Sequence, residues 1–217
     1  MSKSFDIAMR FKNRHESGIK LAEKLEKYKN SNAIVLAIPR GGVEVGYEIA
    51  KHLKINLDII VTKKIGLEGN DEFAIGSVGP DKKVILNKDI VKSYNVSKQY
   101  LDTESKRIGE EIERRYKEYK GQYKLSNLKG KVVILTDDGI ATGHTVKAAL
   151  EYIKRQNPEK IIIAVPVSPS GFAAEIKDEA DEFICLHSAE NFYAVGQFYE
   201  EFEQLSDSDV KNLLKGE

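Results

Sequence analysis

Four short runs of this 217-residue chain are almost wholly apolar and rich in β-branched residues: AIVLAIP at 33–39, LDIIVT at 57–62, VVILT at 132–136 and IIIAV at 161–165. Runs of this length, bounded by turn signals, predict strands buried on both faces. Helical patterns lie between them. Strands that alternate with helices predict parallel βαβ units and an α/β sheet with helices on its faces. With a short run at 183–186 the expectation is a mainly parallel core sheet of five strands.

The helices can be read from spacing. Residues 14–28 form an amphipathic pattern with Ile19, Leu21, Ala22 and Leu25 near one face. Residues 43–53, 145–155 and roughly 171–179 follow the strands. The longest pattern covers 97–119, with Leu101, Ile108, Ile112 and Tyr116 on one face and Ser97 as its N-cap. Residues 67–73, with Gly69, Asn70 and Asp71, are expected to form a mobile loop. Residues 73–78 and 84–87 flank Gly79-Pro80-Asp81 and predict a hairpin. No internal repeat or low-complexity tract interrupts the chain.

Composition narrows the function classes. Lys+Arg and Asp+Glu are each 34, a formal net charge of zero. Blanket binding to a phosphate backbone is therefore not expected, whereas a local basic cluster around one phosphorylated ligand remains compatible. The single cysteine, Cys185, excludes an intramolecular disulfide and a CxxC metal site, and inert burial is expected for it. His15, His52, His144 and His187 lack metal-ligand spacing. The first residues lack the pattern of a signal peptide, and no apolar run approaches the ~20 residues of a membrane span. A cytoplasmic protein without membrane or nucleic-acid partners is expected.

Ligands of an open parallel sheet collect at the carboxyl ends of its strands. Three loops there carry usable chemistry. Ala141-Thr142-Gly143-His144-Thr145 precedes a helix, whose first N–H groups are unpaired and whose dipole is positive, so a phosphate monoester fits. Asp137 and Asp138, just before it, suit a vicinal diol or a hydrated Mg²⁺. Hydroxyl acceptors beside a phosphate cradle describe a sugar phosphate. Arg40 with Gly41 and Gly42 can wrap a second anion, and Lys63 and Lys64 add charge at a neighbouring strand end. Phosphate at one end, a ribose in the middle and pyrophosphate at the other describe phosphoribosyl pyrophosphate.

VVILTDDGIATGHT resembles the phosphoribosyl-pyrophosphate signature of the type I phosphoribosyltransferases. AIPRGG resembles their pyrophosphate loop, and VTKKIG resembles the basic strand-end segment that faces pyrophosphate. FAIGSV and AVGQFYEEFEQLSDSDVKNLL are similar to a broad group of uncharacterised predicted phosphoribosyltransferases, so the resemblance covers nearly the whole chain. It implies the type I fold as a single domain over 1–217, with a lid hairpin near 66–87, a helical insertion near 88–125 and a small hood near 186–217. It implies Mg²⁺-dependent displacement of pyrophosphate from ribose C1 by a nitrogenous, nucleobase-like acceptor. Asp137, Asp138 and Arg40 would be the catalytic residues, with both acids also reaching Mg²⁺. Gly41, Gly42, Lys63, Lys64, Ala141, Thr142, Gly143, His144 and Thr145 would bind substrate. A homodimer is the expected assembly.

Departures from the family pattern limit the acceptor. Ala141 stands where the hypoxanthine–guanine enzymes usually carry an acid, which counts against 6-oxopurine salvage. The loop is closer to the ATGGT of adenine-type enzymes, with His144 in place of a glycine. His144 either faces solvent or touches phosphate, and its main-chain N–H is the expected contact. Glu68, Asp71 and Glu72 are open alternatives for a general base. Phe192, Tyr193, Phe198 and Tyr199 could stack on a base, with core packing or a dimer contact as the plainer expectation. The competing function is a sensor that binds a nucleotide or phosphoribosyl pyrophosphate without chemistry, and a third is a hydrolase or phosphorylase acting on another ribose phosphate.

Overall fold

A computed structural model describes residues 10–216. The stretch read above for a signal peptide lies outside them. The chain runs α1 (Arg14–Lys24), β1 (Ala33–Ala37), α2 (Gly41–Leu53), β2 (Asn56–Ile59), β3 (Lys63–Leu67), β4 (Asn70–Val78), β5 (Val84–Leu86), α3 (Lys88–Ser93) and α4 (Lys98–Lys120). It continues through β6 (Val132–Thr136), α5 (His144–Lys154), β7 (Lys160–Pro169), α6 (Phe172–Glu175), β8 (Glu182–Ala189) and α7 (Asp207–Lys215).

Five strands form the central sheet in the order β2-β1-β6-β7-β8, and every neighbouring pair is parallel. The apolar runs are buried as their composition requires: all of β1 is buried, and β7 is buried from Ile161 to Ser168. Side chains alternate between the faces. Ile34, Leu36 and Ile38 pack with Val146, Leu150 and Ile153 of α5. Val35, Ile134 and Ile162 pack on the other face with Leu21 of α1 and Val45 and Ile49 of α2. Burying each such side chain contributes about 1.5–3 kcal/mol.

The chain leaves β1 for β2 on one side and returns through β6 on the other. The strand order therefore reverses between β1 and β6, which is where a doubly wound sheet binds its ligand. Both loops rich in chemistry, 39–42 and 137–145, leave the carboxyl ends of these two strands.

β3, β4 and β5 form a separate antiparallel sheet. It differs from expectation in two places. LDIIVT is not one strand: β2 ends at Ile59, and Lys63 and Lys64 open β3 rather than closing β2. Residues 67–73 are not one loop: Gly69, at φ +81°, makes a tight turn and β4 begins at Asn70. Asn70, Asp71 and Glu72 are exposed, so no apolar alternation announces the strand. The predicted helix at 171–179 shrinks to the single turn of α6. The long helix and its cap agree with the reading, since the Ser97 side chain accepts the Tyr100 N–H. No helix among the described residues is long and apolar enough to cross a membrane.

Candidate active site at the β1–β6 switch point

Asp137 and Asp138 follow the last residue of β6 directly. The Asp138 N–H donates to Asp137 Oδ1 at 2.8 Å, which fixes the first carboxylate. The second is held from another element: Arg14 Nε of α1 donates to Asp138 Oδ2 at 2.8 Å. Burial pushes Asp137 well above the ordinary carboxylate range, and the neighbouring Asp138 pushes it further. Burial also raises Asp138, with Arg14 working in the opposite direction. Two carboxylates this close and this desolvated resist being charged together.

The β1–α2 turn closes over these acids. A Cβ at Gly41 would stand 1.9 Å from Asp138 Oδ2, and one at Gly42 would stand 2.8 Å from Asp137 Cα. Only glycine permits this approach of the two loops. The Pro39–Arg40 peptide of the same turn is cis. The Arg40 side chain, about one-third exposed, reaches across to α7, with Nη1 3.8 Å from Asp207 Oδ1.

Asp137, residues 139–143, Thr145 and Val146 line a cavity of about 180 Å³. Ala141, Thr142, His144 and Thr145 are exposed, while Gly143 is buried. Gly143 caps α5 at φ +73°, and a Cβ there would meet the Phe172 ring at 2.2 Å. α5 therefore presents its first N–H groups to this cavity, an arrangement suited to an anion. His144 is the first residue of that helix.

Lys63 and Lys64 do not join the acids. Lys63 Nζ pairs with Glu111 of α4 at 2.6 Å, and Lys64 Nζ with Glu72 of β4 at 2.9 Å. They line a cleft of about 480 Å³ between the three-stranded sheet and α5, where His144 and Thr145 form the opposite wall. Thr145 borders both spaces, and Thr62 Oγ1 donates to the Thr145 carbonyl at 3.4 Å. Of the open base alternatives, Glu72 is thus engaged with Lys64, while Glu68 and Asp71 are exposed beside the β3–β4 turn.

Two residues near the acids carry roles that sequence reasoning misses. Arg14 lies on the buried stripe of α1, with Ser17, Gly18, Leu21 and Ala22, whereas Ile19 is exposed. Tracing the stripe back at helical spacing from Leu25 through Leu21 and Ser17 reaches Arg14, the signal that could have found it. Tyr199, expected to stack or pack, is buried against Phe11, and its hydroxyl donates to the Asp138 carbonyl at 2.6 Å. Phe198 is core, Phe192 packs on it with ring centroids 5.1 Å apart, and Tyr193 is exposed. Cys185 is half-buried, and burial raises its thiol. Among the described residues, no three His, Cys, Asp or Glu side chains converge as a metal cage would need.

Comparisons with known proteins agree with this geometry. Residues 12–203 match the model of the phosphoribosyl transferase domain. A curated protein of Mycobacterium tuberculosis named "Putative phosphoribosyl transferase" is 36% identical over 204 residues, 94% of this chain and 46% of its own length. The chain thus spans about half the length of the curated relatives it matches. The crystal structure of the protein TT1426 from Thermus thermophilus is 35% identical with a TM-score of 0.83, covering 95% of this chain and 98% of that one. The AQ2163 protein from Aquifex aeolicus, at 15% identity and a TM-score of 0.51 over 93% and 83% of the two chains, shares the fold. With the family model matched over most of its length, and Asp137, Asp138, the loop that follows them and the glycine turn meeting at the strand switch point, the chain belongs to the phosphoribosyl transferase domain family.

Proposed function

We propose that the protein transfers phosphoribose from phosphoribosyl pyrophosphate to a nitrogenous, nucleobase-like acceptor, releasing pyrophosphate. The observation that carries this reading is the closure of Gly41 and Gly42 onto Asp137 and Asp138 beside the cavity lined by residues 139–143. The sequence of helix N-terminus, paired acids and glycine turn supports a ligand with phosphate, diol and pyrophosphate in that order.

In this reading the α5 N-terminus and the hydroxyls of Thr142 and Thr145 hold the 5′-phosphate. Asp137 and Asp138 accept the ribose hydroxyls and place negative charge near C1, where an oxocarbenium-like transition state develops positive charge. Ligand hydroxyls donating to Asp137 favour its charged form. The main chain at Gly41 and Gly42, with Arg40, stabilises the leaving pyrophosphate. Arg40 exchanges Asp207 for the ligand, and Lys63 or Lys64 joins only by leaving its acid partner. Positioning and electrostatics supply the rate, without a covalent enzyme intermediate.

Mg²⁺ fits the donor set. One or two carboxylates, completed by water and substrate phosphates, is the usual way this ion is held, rather than an all-protein cage. Asp137, and the Asp138 oxygen that Arg14 leaves free, would hold it, and it would neutralise charge on the departing pyrophosphate. The three-stranded sheet serves as the lid near 66–87, α3 and α4 as the insertion near 88–125, and the stretch from 186 onwards as the hood. Tyr193, exposed on that stretch, is available to an acceptor.

The test is incubation with phosphoribosyl pyrophosphate, Mg²⁺ and a panel of bases, with pyrophosphate release measured. Release dependent on one base supports the reading and names the acceptor. Tight binding with no turnover across the panel identifies a sensor instead. Unchanged binding by an Asp137→Asn/Asp138→Asn double variant overturns the site assignment.

A further inference from the structure

We propose that Arg14 is a positioning residue for ribose binding, holding the Asp138 carboxylate in place and tying it to the C-terminal segment at 199–203. The inference rests on the assignment of Asp138 to the ribose site.

Arg14 is 6% exposed, and a buried guanidinium is tolerated only where its donors are used. Here they point in different directions. Nε donates to Asp138 Oδ2, and Nη1 donates to the Glu203 carbonyl, each at 2.8 Å. The guanidinium carbon sits 3.9 Å from the centroid of the Phe202 ring. Phe202 stacks on Tyr199, with centroids 5.0 Å apart and ring planes 23° from parallel. Tyr199 closes the circuit by donating its hydroxyl to the Asp138 carbonyl. Asp138 is thereby held twice, through its side chain by the N-terminal helix and through its main chain by the C-terminal segment.

This brace has a chemical consequence for the ligand. Fixing Oδ2 fixes the plane of the carboxylate, so Oδ1 is aimed before a diol arrives and no rotamer freedom is lost on binding. A lysine carries the charge but not the flat, forked geometry that serves an acid, a carbonyl and a ring together. Arg14 lies against Gly41, but its hydrogen bonds go to Asp138 and the Glu203 carbonyl and, among the described residues, none goes to Arg40, Gly41 or Gly42, the residues assigned to pyrophosphate. Its removal should therefore discriminate between ligands that carry a ribose and ligands that do not.

The experiment measures, by calorimetry, the affinity of the full chain for ribose 5-phosphate and for inorganic pyrophosphate. The wild type, Arg14→Lys and Arg14→Ala are compared, with melting temperatures taken in parallel. In Arg14→Ala, affinity for ribose 5-phosphate is expected to fall about 10- to 100-fold, the range for partners that orient a ligating side chain. Affinity for pyrophosphate should stay unchanged. Arg14→Lys should recover part of the loss, and low, non-denaturing guanidinium should restore part of it in Arg14→Ala. Should the alanine variant fail to fold, the lysine variant carries the test through the same ligand-specific loss. Equal loss for both ligands, or no loss for ribose 5-phosphate in the folded variants, overturns the inference while the site reading stands. A wild type that binds neither probe overturns the site reading, and the inference falls with it.

Discussion

Gly41 and Asp138 approach so closely that a Cβ on the glycine would stand 1.9 Å from the carboxylate Oδ2. The same Cβ would stand 2.9 Å from Arg14 Nε, so the carboxylate cannot swing aside without breaking its ion pair. Gly41→Ala is expected to remain folded and to lose ribose 5-phosphate affinity by at least about tenfold in calorimetry, the lower end of the range for disturbing a group that orients a ligating side chain. Gly42→Ala meets the Asp137 main chain instead, which cannot rotate away. It should cost stability, by about 1–3 kcal/mol for an overpacked site, measured by urea unfolding. Gly41→Ala binding as tightly as wild type would contradict the geometry.

Asp137 predicts a conflict between binding and stability. Its folded-state pKa lies above the ordinary value because it is buried beside another acid. A carboxyl shifted in that direction contributes stability below its unfolded pKa, and that contribution is lost as pH rises through the folded value. At neutral pH, above the unfolded carboxyl pKa, the ligand-free fold therefore carries an unfavourable contribution from burying this acid. Asp137→Asn should raise the ligand-free melting temperature at pH 7, by about 2–4 °C for each kcal/mol relieved. The gain should shrink as pH is lowered towards about 4, near the unfolded carboxyl pKa. Ribose 5-phosphate binding should be lost at the same time. A variant less stable than wild type at pH 7 would refute this.

Asp207 competes with any anion for Arg40. The pair is 3.8 Å apart with both side chains about a third or more exposed, so its worth is about 0–1 kcal/mol. Asp207→Asn should therefore tighten pyrophosphate binding by up to about fivefold, which isothermal titration can resolve. Asp207 also accepts the Tyr119 hydroxyl at 2.8 Å and lies in the first turn of α7, so a small loss of stability should accompany the gain. Weaker pyrophosphate binding would mean that Arg40 has another role.

Thr136 ends β6 with its hydroxyl fully buried and without a hydrogen-bond partner among the described residues. An unsatisfied buried hydroxyl costs about 1–3 kcal/mol. Thr136→Val keeps the shape and removes the hydroxyl, so thermal unfolding should shift upwards by a few degrees. A downward shift would show that the hydroxyl is satisfied in solution.

The core sheet was legible because β1, β6 and β7 are apolar almost throughout, and burial on both faces leaves that mark on composition. Asp137, Asp138 and the 141–145 loop were legible because their chemistry is contiguous in sequence and sits between a strand and a helix. Arg14 was not, because its partner lies 124 residues away and helix spacing alone does not say which acid a buried arginine meets. The pairing of Lys63 with Glu111 and of Lys64 with Glu72 was hidden for the same reason. β4 begins on Asn70, Asp71 and Glu72, whose pairing with β3 follows from the Gly69 turn and not from their polarity.

The bond from Arg14 to the Glu203 carbonyl spans 189 residues. A ribosome therefore completes every strand of the sheet, and both loops at the β1–β6 switch point, before the peptide group that secures Arg14 has been synthesised. A nascent chain halted just after Phe198 would hold the whole sheet but an arginine left with Asp138 alone, without the Phe202 ring and the Glu203 carbonyl. Synthesis proceeds from the amino end, so the ability to grip a sugar phosphate firmly would be acquired only after the sheet itself is complete.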